Sequence, residues 1–265
     1  MPTMGYLHEG HLRLADHARR AADVVAASIF VNPIQFGPTE DLASYPRDLA
    51  RDRTELERRR VDCLFAPPTD EMYRADPVVR VSPGPLARYL CGASRPGHFE
   101  GVLTVVAKLF HIAEPDVAVF GRKDIQQALI IKRMIEDLSF SVEAQIVPTV
   151  REPDGVAMSS RNIYLTPEER TAAPLLSRGL EAACAAFRNG ATRAGALVAE
   201  VREVVGASRL IDIDYVEVVD PVSLAPVEFA RDDCFVAIAA RLGKARLIDN
   251  VVLGQGVSAD DFVKN

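Results

Sequence analysis

The chain has 265 residues, of which 48% are hydrophobic and 26% are charged, and its formal net charge is −6. This composition excludes general disorder, and the acidic balance gives no reason to expect binding to nucleic acid or to an anionic membrane. The length suits one large domain or two ordinary ones. The longest apolar stretch, 102–113, is interrupted by Lys108 and His111 and is too short to span a bilayer.

Apolar runs in the first half of the chain predict strands, and three of the four are typical of a parallel sheet covered on both faces. They are 24–31, 61–66, 116–120 and the weaker 141–147. Amphipathic helices are predicted over 10–22, 47–60, 102–110 and 125–138. Strands that alternate with helices favour right-handed crossovers and therefore an α/β fold with a doubly wound parallel sheet.

The pattern changes after about residue 150 to helices followed by short strands. One helix is predicted from the capping box at Thr166 to Gly190, and a second over 194–205. The predicted strands are 210–219, 234–240 and 245–249, the last two joined by a hairpin. The sequence thus predicts two domains, an α/β domain over 1–150 and a smaller α+β domain over 151–265.

The sharpest local signal is His8-Glu9-Gly10-His11, preceded by Pro2-Thr3-Met4-Gly5. Gly10 would let a phosphate approach the backbone, and the helix that follows would present its N–H groups and positive dipole end to that anion. Two imidazoles can also donate hydrogen bonds to phosphate oxygens. A histidine pair on a surface helix, or two metal ligands that lack a third, would show the same spacing.

Three further polar clusters suggest a binding site. Gly121-Arg122-Lys123-Asp124 follows the strand 116–120, where ligands bind in doubly wound sheets, although a turn with a solvated lysine has the same pattern. Met158-Ser159-Ser160-Arg161 suits a mobile loop over phosphates, but serine and arginine also fill ordinary loops. Asn32 and Gln35 follow the strand 24–31 and can orient a small polar substrate; an Asn-Pro turn explains Asn32 but not Gln35.

Other polar or reactive residues favour structural roles. The cysteines have no CxxC spacing and no basic neighbour in sequence, so buried, reduced thiols of a cytoplasmic protein are expected at Cys63, Cys91, Cys184 and Cys234. The arginines at 58–60 predict a solvated helix end. His98 suits a structural role and a place in the site equally well.

Taken together, the motifs closely resemble the pantothenate synthetase (pantoate–β-alanine ligase) family over essentially the whole chain. The segments that carry the resemblance are Pro2–His11, Phe30–Gly37, Arg95–Phe99, Glu114–Val117, Gly121–Gln127 and Pro148–Asn162. The resemblance implies a Rossmann-like nucleotidyltransferase domain with a C-terminal lid domain, and a homodimer. It also implies that pantoate and β-alanine are joined through pantoyl adenylate, with ATP as co-substrate, Mg²⁺ as cofactor, and AMP and pyrophosphate released.

The resemblance further implies roles for individual residues. The catalytic residues would be His8, His11, Lys123 and Arg161. ATP would be bound by Met4, Gly5, Tyr6, Leu7, His8, Glu9, Gly10, His11, Gly121, Arg122, Lys123, Asp124, Val150, Met158, Ser159, Ser160 and Arg161. The substrates would be bound by Gln35 and Gln127, with Asn32 beside them. Metal ligands are unknown, with Asp52 a weak candidate, and Tyr6 and Arg122 depart from the residues usual in the family.

Two alternatives remain open. A nucleotidyltransferase acting on a phosphorylated substrate would share the histidine motif without requiring Gln35 and Gln127, and a non-catalytic nucleotide-binding module would need no chemistry. In such folds the phosphate motif follows the first, central strand. Since the motif here begins at Pro2, the sequence predicts a sheet that lacks this strand, as in a shortened gene model or a truncated chain.

Overall fold

The structure is a computed structural model that describes residues 1–38, 40–258 and 261. The chain divides into two compact units. The first unit comprises Met1–Ala87, Arg95–Arg122 and Gln127–Val147, and the second comprises Arg88–Ser94, Lys123–Gln126 and Pro148–Asn265.

Helices and strands alternate through the first half of the chain and segregate in the second, as the sequence predicts. The strands are β1 (Pro2–Thr3), β2 (Ala26–Ile29), β3 (Cys63–Phe65), β4 (Val117–Gly121), β5 (Glu143–Val147), β6 (Ile211–Val219), β7 (Phe235–Leu242) and β8 (Ala245–Val252). The helices are α1 (Glu9–Ala21), α2 (Leu49–Arg58), α3 (Thr69–Met72), α4 (Leu90–Ser94), α5 (His98–Ala113), α6 (Ile125–Asp137), α7 (Pro167–Ala172), α8 (Leu175–Arg188) and α9 (Ala194–Val205).

The first unit contains parallel strands, which confirms the predicted α/β class. Its hydrogen-bonded ladders have the orders β1-β2-β3 and β4-β5. Helix α1 packs against β4 and β5. Leu14 and Ala18 of α1 join Val119 of β4 and Val147 of β5 in one buried apolar cluster. The amphipathic face of α1 therefore fixes the position of the histidine motif that begins this helix.

The first strand is short, but it is present, which corrects the prediction that the sheet lacks it. Pro2 and Thr3 pair in parallel with Ser28 and Ile29 of β2. A strand can begin with proline because the missing N–H then falls at its first position. The strand therefore leads directly into the histidine motif, as the fold requires.

The second unit is built on the antiparallel sheet β6-β7-β8, with α8 and α9 packed together beside it. A two-residue turn joins β7 to β8 at the pair Leu242–Ala245, as predicted. The helix predicted over 166–190 is wrong in one respect, because it is divided into α7 and α8. Pro174 causes the division, since a proline lacks the N–H that a continuous helix requires.

The cysteines differ in burial. Cys91, Cys184 and Cys234 are buried as predicted, whereas Cys63 is exposed because it begins the short edge strand β3. Arg246 lies 3.6 Å from the Cys91 Sγ atom, a basic neighbour that is distant in sequence. Within the described part of the chain, no helix is both long enough and apolar enough to cross a membrane.

Candidate functional site

The histidine segment (Met4–His11) leads from β1 into α1, and its two imidazoles cap the helix. The His8 Nδ1 atom accepts from the Gly10 amide at 3.1 Å, and the His11 Nδ1 atom accepts from the His8 amide at 3.3 Å. The ring centroids lie 4.1 Å apart. Because each Nδ1 atom accepts, a neutral ring carries its proton on Nε2, which becomes the donor. The Gly10 amide, predicted to face an anion, donates to His8 instead.

A buried carboxylate holds the turn before His8. Asp52 is 1% exposed and accepts from the amides of Tyr6 at 2.6 Å and Leu7 at 2.7 Å. Gly5 and Tyr6 both have positive φ, at 82° and 50°, so consecutive amides form a concave anion-binding turn. Burial raises the pKa of Asp52 despite these two hydrogen bonds. With both oxygens engaged by amides, Asp52 supports the backbone of this turn.

Arg59 joins the end of α2 to α1. Its Nη2 atom lies 2.9 Å from the Glu9 Oε2 atom, and its Nη1 atom donates to Asp16. Arg58 forms an exposed pair with Glu55. The prediction of a solvated arginine run is therefore wrong for Arg59, because helix packing places two α1 carboxylates within its reach.

Gln35 lies in a short 3₁₀ turn after β2 and is brought to the histidine segment. Its Nε2 atom is 3.1 Å from the Met4 Sδ atom. Its Oε1 atom accepts from the Asn32 Nδ2 atom at 3.0 Å. Asn32 also donates to the Gly101 carbonyl at 3.0 Å and is 1% exposed. Both amide hydrogens of Asn32 are thus donated within the protein, which leaves neither for the substrate contact predicted from sequence.

In the second unit, Lys123 and Ser159 line one small cavity. The cavity measures about 10 Å³, and its polar lining includes Ser177 and Asp249. The Lys123 Nζ atom lies 3.6 Å from the Asp124 carboxylate. The structure therefore brings together two residues from separate sequence clusters, one cationic and one a hydroxyl donor.

The serine–arginine loop (Val150–Arg161) folds back on itself before the 3₁₀ turn Ser160–Tyr164. The Met158 amide donates to the Val150 carbonyl at 2.9 Å. The Ser159 hydroxyl accepts from the Arg161 amide at 3.2 Å, which caps the 3₁₀ turn. These local bonds place Ser159 and Arg161 in a defined backbone rather than in an extended loop.

A fully buried ion pair supports this loop. Arg151 is 1% exposed, and its Nη1 and Nη2 atoms lie 2.6 Å and 3.0 Å from the two carboxylate oxygens of Asp249 on β8. The Arg151 Nη1 atom also donates to the Gly155 carbonyl at 3.1 Å. The bidentate geometry fixes the position of the arginine and, through Gly155, the course of the loop.

The remaining predicted site residues fall in both units. The first unit contains the histidine segment, Asn32, Gln35, Gly121, Arg122 and the half-buried Gln127. The second contains Lys123, Asp124 and the serine–arginine loop.

The family follows from comparison with known proteins. The model of the family described as pantoate–β-alanine ligase matches residues 1–252. The chain belongs to this family. Pantothenate synthetase of Thermoanaerobacter sp. (strain X514) is 51% identical over 257 residues, covering 97% of this chain and 91% of that protein. Pantothenate synthetase of Thermotoga neapolitana is 53% identical over 254 residues, covering 96% and 91%.

Solved structures of pantoate–β-alanine ligases agree with this family assignment. The crystal structure of pantothenate synthetase from Thermus thermophilus is 48% identical, with a TM-score of 0.92, and covers 95% of this chain and 91% of that one. The ligase from Francisella tularensis, complexed with β-γ ATP and β-alanine, is 33% identical, with a TM-score of 0.77, and covers 97% and 90%.

Sequence reasoning missed several residues that organise the site of this pantoate–β-alanine ligase. They are Arg59, Arg151, Asp249 and, as a loop support, Asp52. One of them had a local signal: Asp52 lies four positions before Leu56, so it shares the buried face of α2. An acidic residue on an apolar helix face indicates a specific buried partner.

Proposed function

We propose that this chain condenses pantoate with β-alanine in an ATP-dependent reaction that forms pantoyl adenylate and then pantothenate. Family membership supports the reaction, and the Francisella relative carries an ATP analogue and β-alanine. The observation that carries the proposal here is the contact of the Gln35 Nε2 atom with Met4 of the histidine segment. If Gln35 binds the organic substrate and the histidine segment binds phosphate, this contact puts the two reactants side by side.

In the first step, a pantoate carboxylate oxygen attacks the α-phosphorus of ATP, and pyrophosphate leaves. His8 and His11 would donate from Nε2 to the phosphate oxygens, which fits their accepting Nδ1 atoms. Lys123 and Arg161 would neutralise the charge that develops on pyrophosphate. No enzyme nucleophile is required, since the substrate carboxylate forms the new bond.

In the second step, the neutral β-alanine amine attacks the acyl carbon of the adenylate. The C–N bond forms, the C–O bond to AMP breaks, and the amine releases a proton. Gln35 and Gln127 would hold the pantoate moiety, with Gln35 also serving β-alanine. Holding the two reactants in contact accelerates this step, because it makes the amine attack effectively unimolecular.

ATP would be bound by residues of both proposed domains, 1–150 and 151–265, the latter serving as a lid. These residues are Met4, Gly5, Tyr6, Leu7, His8, Glu9, Gly10, His11, Gly121, Arg122, Lys123, Asp124, Val150, Met158, Ser159, Ser160 and Arg161. The amides of Tyr6 and Leu7 serve Asp52, so we assign these two residues a role through other atoms. A homodimer in the cytoplasm is proposed from the family resemblance.

Mg²⁺ is expected to accompany ATP. Among the described residues, no group of three or more His, Cys, Asp or Glu side chains is arranged to hold a metal ion. Mg²⁺ that accompanies a nucleotide is usually bound by substrate phosphate oxygens, water and one or two protein carboxylates. Bound in this way, Mg²⁺ would supply neutralisation of the triphosphate charge.

The proposal is tested by following AMP release from ATP with the purified chain. We expect AMP and pantothenate to form in equal amounts only when pantoate and β-alanine are both present. His11→Ala and Lys123→Ala should each lower kcat on the order of 10²-fold, because each removes a charge-stabilising donor. Turnover supported by CTP or by a phosphorylated substrate would instead identify a nucleotidyltransferase, and near-normal kcat in either variant would contradict its assigned role.

A further inference from the structure

Two hydrogen-bond chains converge on Gln35, one on its side chain and one on its carbonyl. Each chain includes a backbone carbonyl, which can only accept a hydrogen bond. These fixed acceptors determine the direction of every other bond in the chains. The orientation of the Gln35 amide can therefore be derived from its surroundings.

The first hydrogen-bond chain ends on the side chain of Gln35 and starts at Tyr73. Since the Gly101 carbonyl accepts at 3.0 Å, the Asn32 atom that faces it is Nδ2. The Asn32 Oδ1 atom then accepts from the Tyr73 hydroxyl at 2.9 Å. The second Nδ2 hydrogen of Asn32 is donated to the Gln35 Oε1 atom at 3.0 Å. The Gln35 end directed toward Met4 is consequently Nε2, a donor.

The second hydrogen-bond chain ends on the backbone carbonyl of Gln35 and starts at Glu40. The two oxygens of Glu40 lie 2.6 Å and 2.7 Å from the Arg95 Nε and Nη2 atoms. Arg95 can only donate, so the His98 Nε2 atom accepts from the Arg95 Nη1 atom at 2.9 Å. The His98 Nδ1 atom therefore carries the proton and donates it to the Gln35 carbonyl at 2.9 Å. His98 is thus part of the buried support of Gln35.

The backbone around Gln35 leaves little freedom to escape these bonds. A Cβ atom at Gly101 would lie 2.6 Å from the Ile34 carbonyl oxygen and 2.7 Å from the Gln35 Cα atom. Helix α5 therefore approaches the 3₁₀ turn as closely as glycine permits. This contact and the two hydrogen-bond chains therefore restrain both the backbone and the side chain of Gln35.

We propose that Tyr73 and His98 are positioning residues that fix Gln35 as an N–H donor, so that Gln35 takes an oxygen acceptor of the substrate. The acceptor is a carboxylate or hydroxyl oxygen, not the β-alanine ammonium group. This inference rests on the proposed function, because it assumes that Gln35 contacts pantoate or β-alanine. It assigns no chemical step to Tyr73 or His98.

Tyr73→Phe tests the chain that ends on the Gln35 side chain. It removes one hydroxyl and retains the ring, whose centroid lies 6.0 Å from that of Phe30. We expect KM for pantoate or β-alanine to rise about five- to tenfold, since Asn32 Oδ1 loses its buried donor. KM for ATP should be unchanged. Tyr215→Phe is the matched control, since its hydroxyl lies 3.2 Å from the Cys91 Sγ atom, in the second unit. It should keep all three KM values.

His98→Ala and His98→Asn test the chain that ends on the Gln35 carbonyl. Alanine removes the donor to the Gln35 carbonyl, whereas the Asn Nδ2 atom can occupy the position of the imidazole Nδ1–H. We expect His98→Ala to raise the same KM as Tyr73→Phe, and His98→Asn to restore most of the loss. Thermal unfolding of both variants identifies any loss that arises from misfolding, and equal KM in a folded His98→Ala variant would overturn the role of His98.

Gln35→Glu tests the donor assignment directly, because it replaces the N–H group by an oxygen of nearly the same size. KM should rise at least tenfold if an acceptor oxygen is bound there. Unchanged or tighter substrate binding would overturn the assignment. These outcomes are read only against wild-type protein that forms pantothenate; wild-type protein that forms none contradicts the proposed function itself, and wild-type KM in all of these folded variants contradicts the positioning role alone.

Discussion

The histidine segment and the serine–arginine loop are both irregular stretches held by one buried charged side chain, but the charges have opposite sign. In the first, Asp52 accepts two backbone amides, with Arg51 only at 4.0 Å. In the second, Arg151 donates to a backbone carbonyl and is neutralised by Asp249. A carboxylate thus holds the segment through two amides, and a paired guanidinium holds the loop through the Gly155 carbonyl.

This difference matters energetically. The Asp52 carboxylate is stabilised mainly by amide dipoles, with one arginine only at 4.0 Å, so its burial remains costly. A bidentate ion pair compensates both of its charges, so removing either partner leaves the other uncompensated. We therefore expect loss of Arg151 to appear mainly as lost stability, and loss of Asp52 mainly as lost activity.

The largest effect is expected from Arg151→Met. The substitution leaves the Asp249 carboxylate buried without its partner and should lower the free energy of unfolding by about 3–5 kcal/mol. Urea unfolding followed by circular dichroism measures the loss. The double variant Arg151→Met/Asp249→Leu should recover most of it, since no buried charge remains.

A matched control is Arg193→Met in the same unit. Arg193 pairs with Glu228 at 3.6 Å, and both side chains are largely exposed. An exposed pair contributes about 0–1 kcal/mol, so this variant should unfold close to the wild type. If Arg151→Met costs no more than Arg193→Met, the buried pair does not support the second unit.

A smaller loss of stability and a larger loss of activity are expected from Asp52→Asn. Asparagine accepts with one oxygen only, so either the Tyr6 or the Leu7 amide loses its acceptor, at a cost of about 1–3 kcal/mol. The turn before His8 then shifts, and pantoyl adenylate formation should fall roughly 10–100-fold. Single-turnover measurement of adenylate formation tests this effect.

Asp48→Asn is the control for charge on the same helix. Asp48 is the N-cap of α2 and accepts from the Arg51 amide at 3.0 Å. Asparagine caps helices equally well, so stability and adenylate formation should both be retained. Equal activity of the Asp52 and Asp48 variants would show that Asp52 does not hold the turn.

The sequence was sufficient to predict the elements that local pattern specifies. Apolar runs identified β2 and β4, and amphipathic spacing identified α5 and α6, because burial on one face or on two leaves a periodic signal. Such a signal did not reveal two features, the two-residue strand β1 and the division of the helix at Pro174. A two-residue run has no measurable period, and the capping box at Thr166 predicted where a helix begins but not how far it continues.

The site was predictable only as far as its local motifs. The histidine motif stood out because of its residue types, and Gln35 because of its position after the strand 24–31. The supports of these groups did not, since Asp52 lies 45 residues from Leu7 and Asp249 lies 98 residues from Arg151. Neither spacing has a local period, and only the folded chain brings the partners together.

The smallest expected effect is the response of the two segments to acid, and it distinguishes them by sign. Burial raises the pKa of Asp52 above its ordinary value, although the Leu7 and Tyr6 amides oppose the shift. Burial alone would also raise the pKa of Asp154 in the serine–arginine loop, but the hydrogen bonds from Arg170 and the Val156 amide and the charge of Arg170 together outweigh it, and the net pKa is lowered. Relative to the unfolded chain, folding therefore stabilises the protonated form of Asp52 and the charged form of Asp154.

The sign of each contribution follows from proton linkage. As pH falls through the range just above the ordinary aspartate pKa of about 3.9, wild-type protein gains stability from Asp52. The contribution of Asp154 is present above that value and is lost as pH falls through its lowered pKa.

The stability loss caused by Asp52→Asn should therefore grow on acidification, whereas the loss caused by Asp154→Asn should shrink, each by less than about 1 kcal/mol. Urea unfolding of both variants and the wild type from pH 7 to pH 3.5 measures these changes. Two losses that move in the same direction would mean that the buried carboxylate of the histidine segment is stabilised as fully as a paired one, and the contrast between the two segments would then fail.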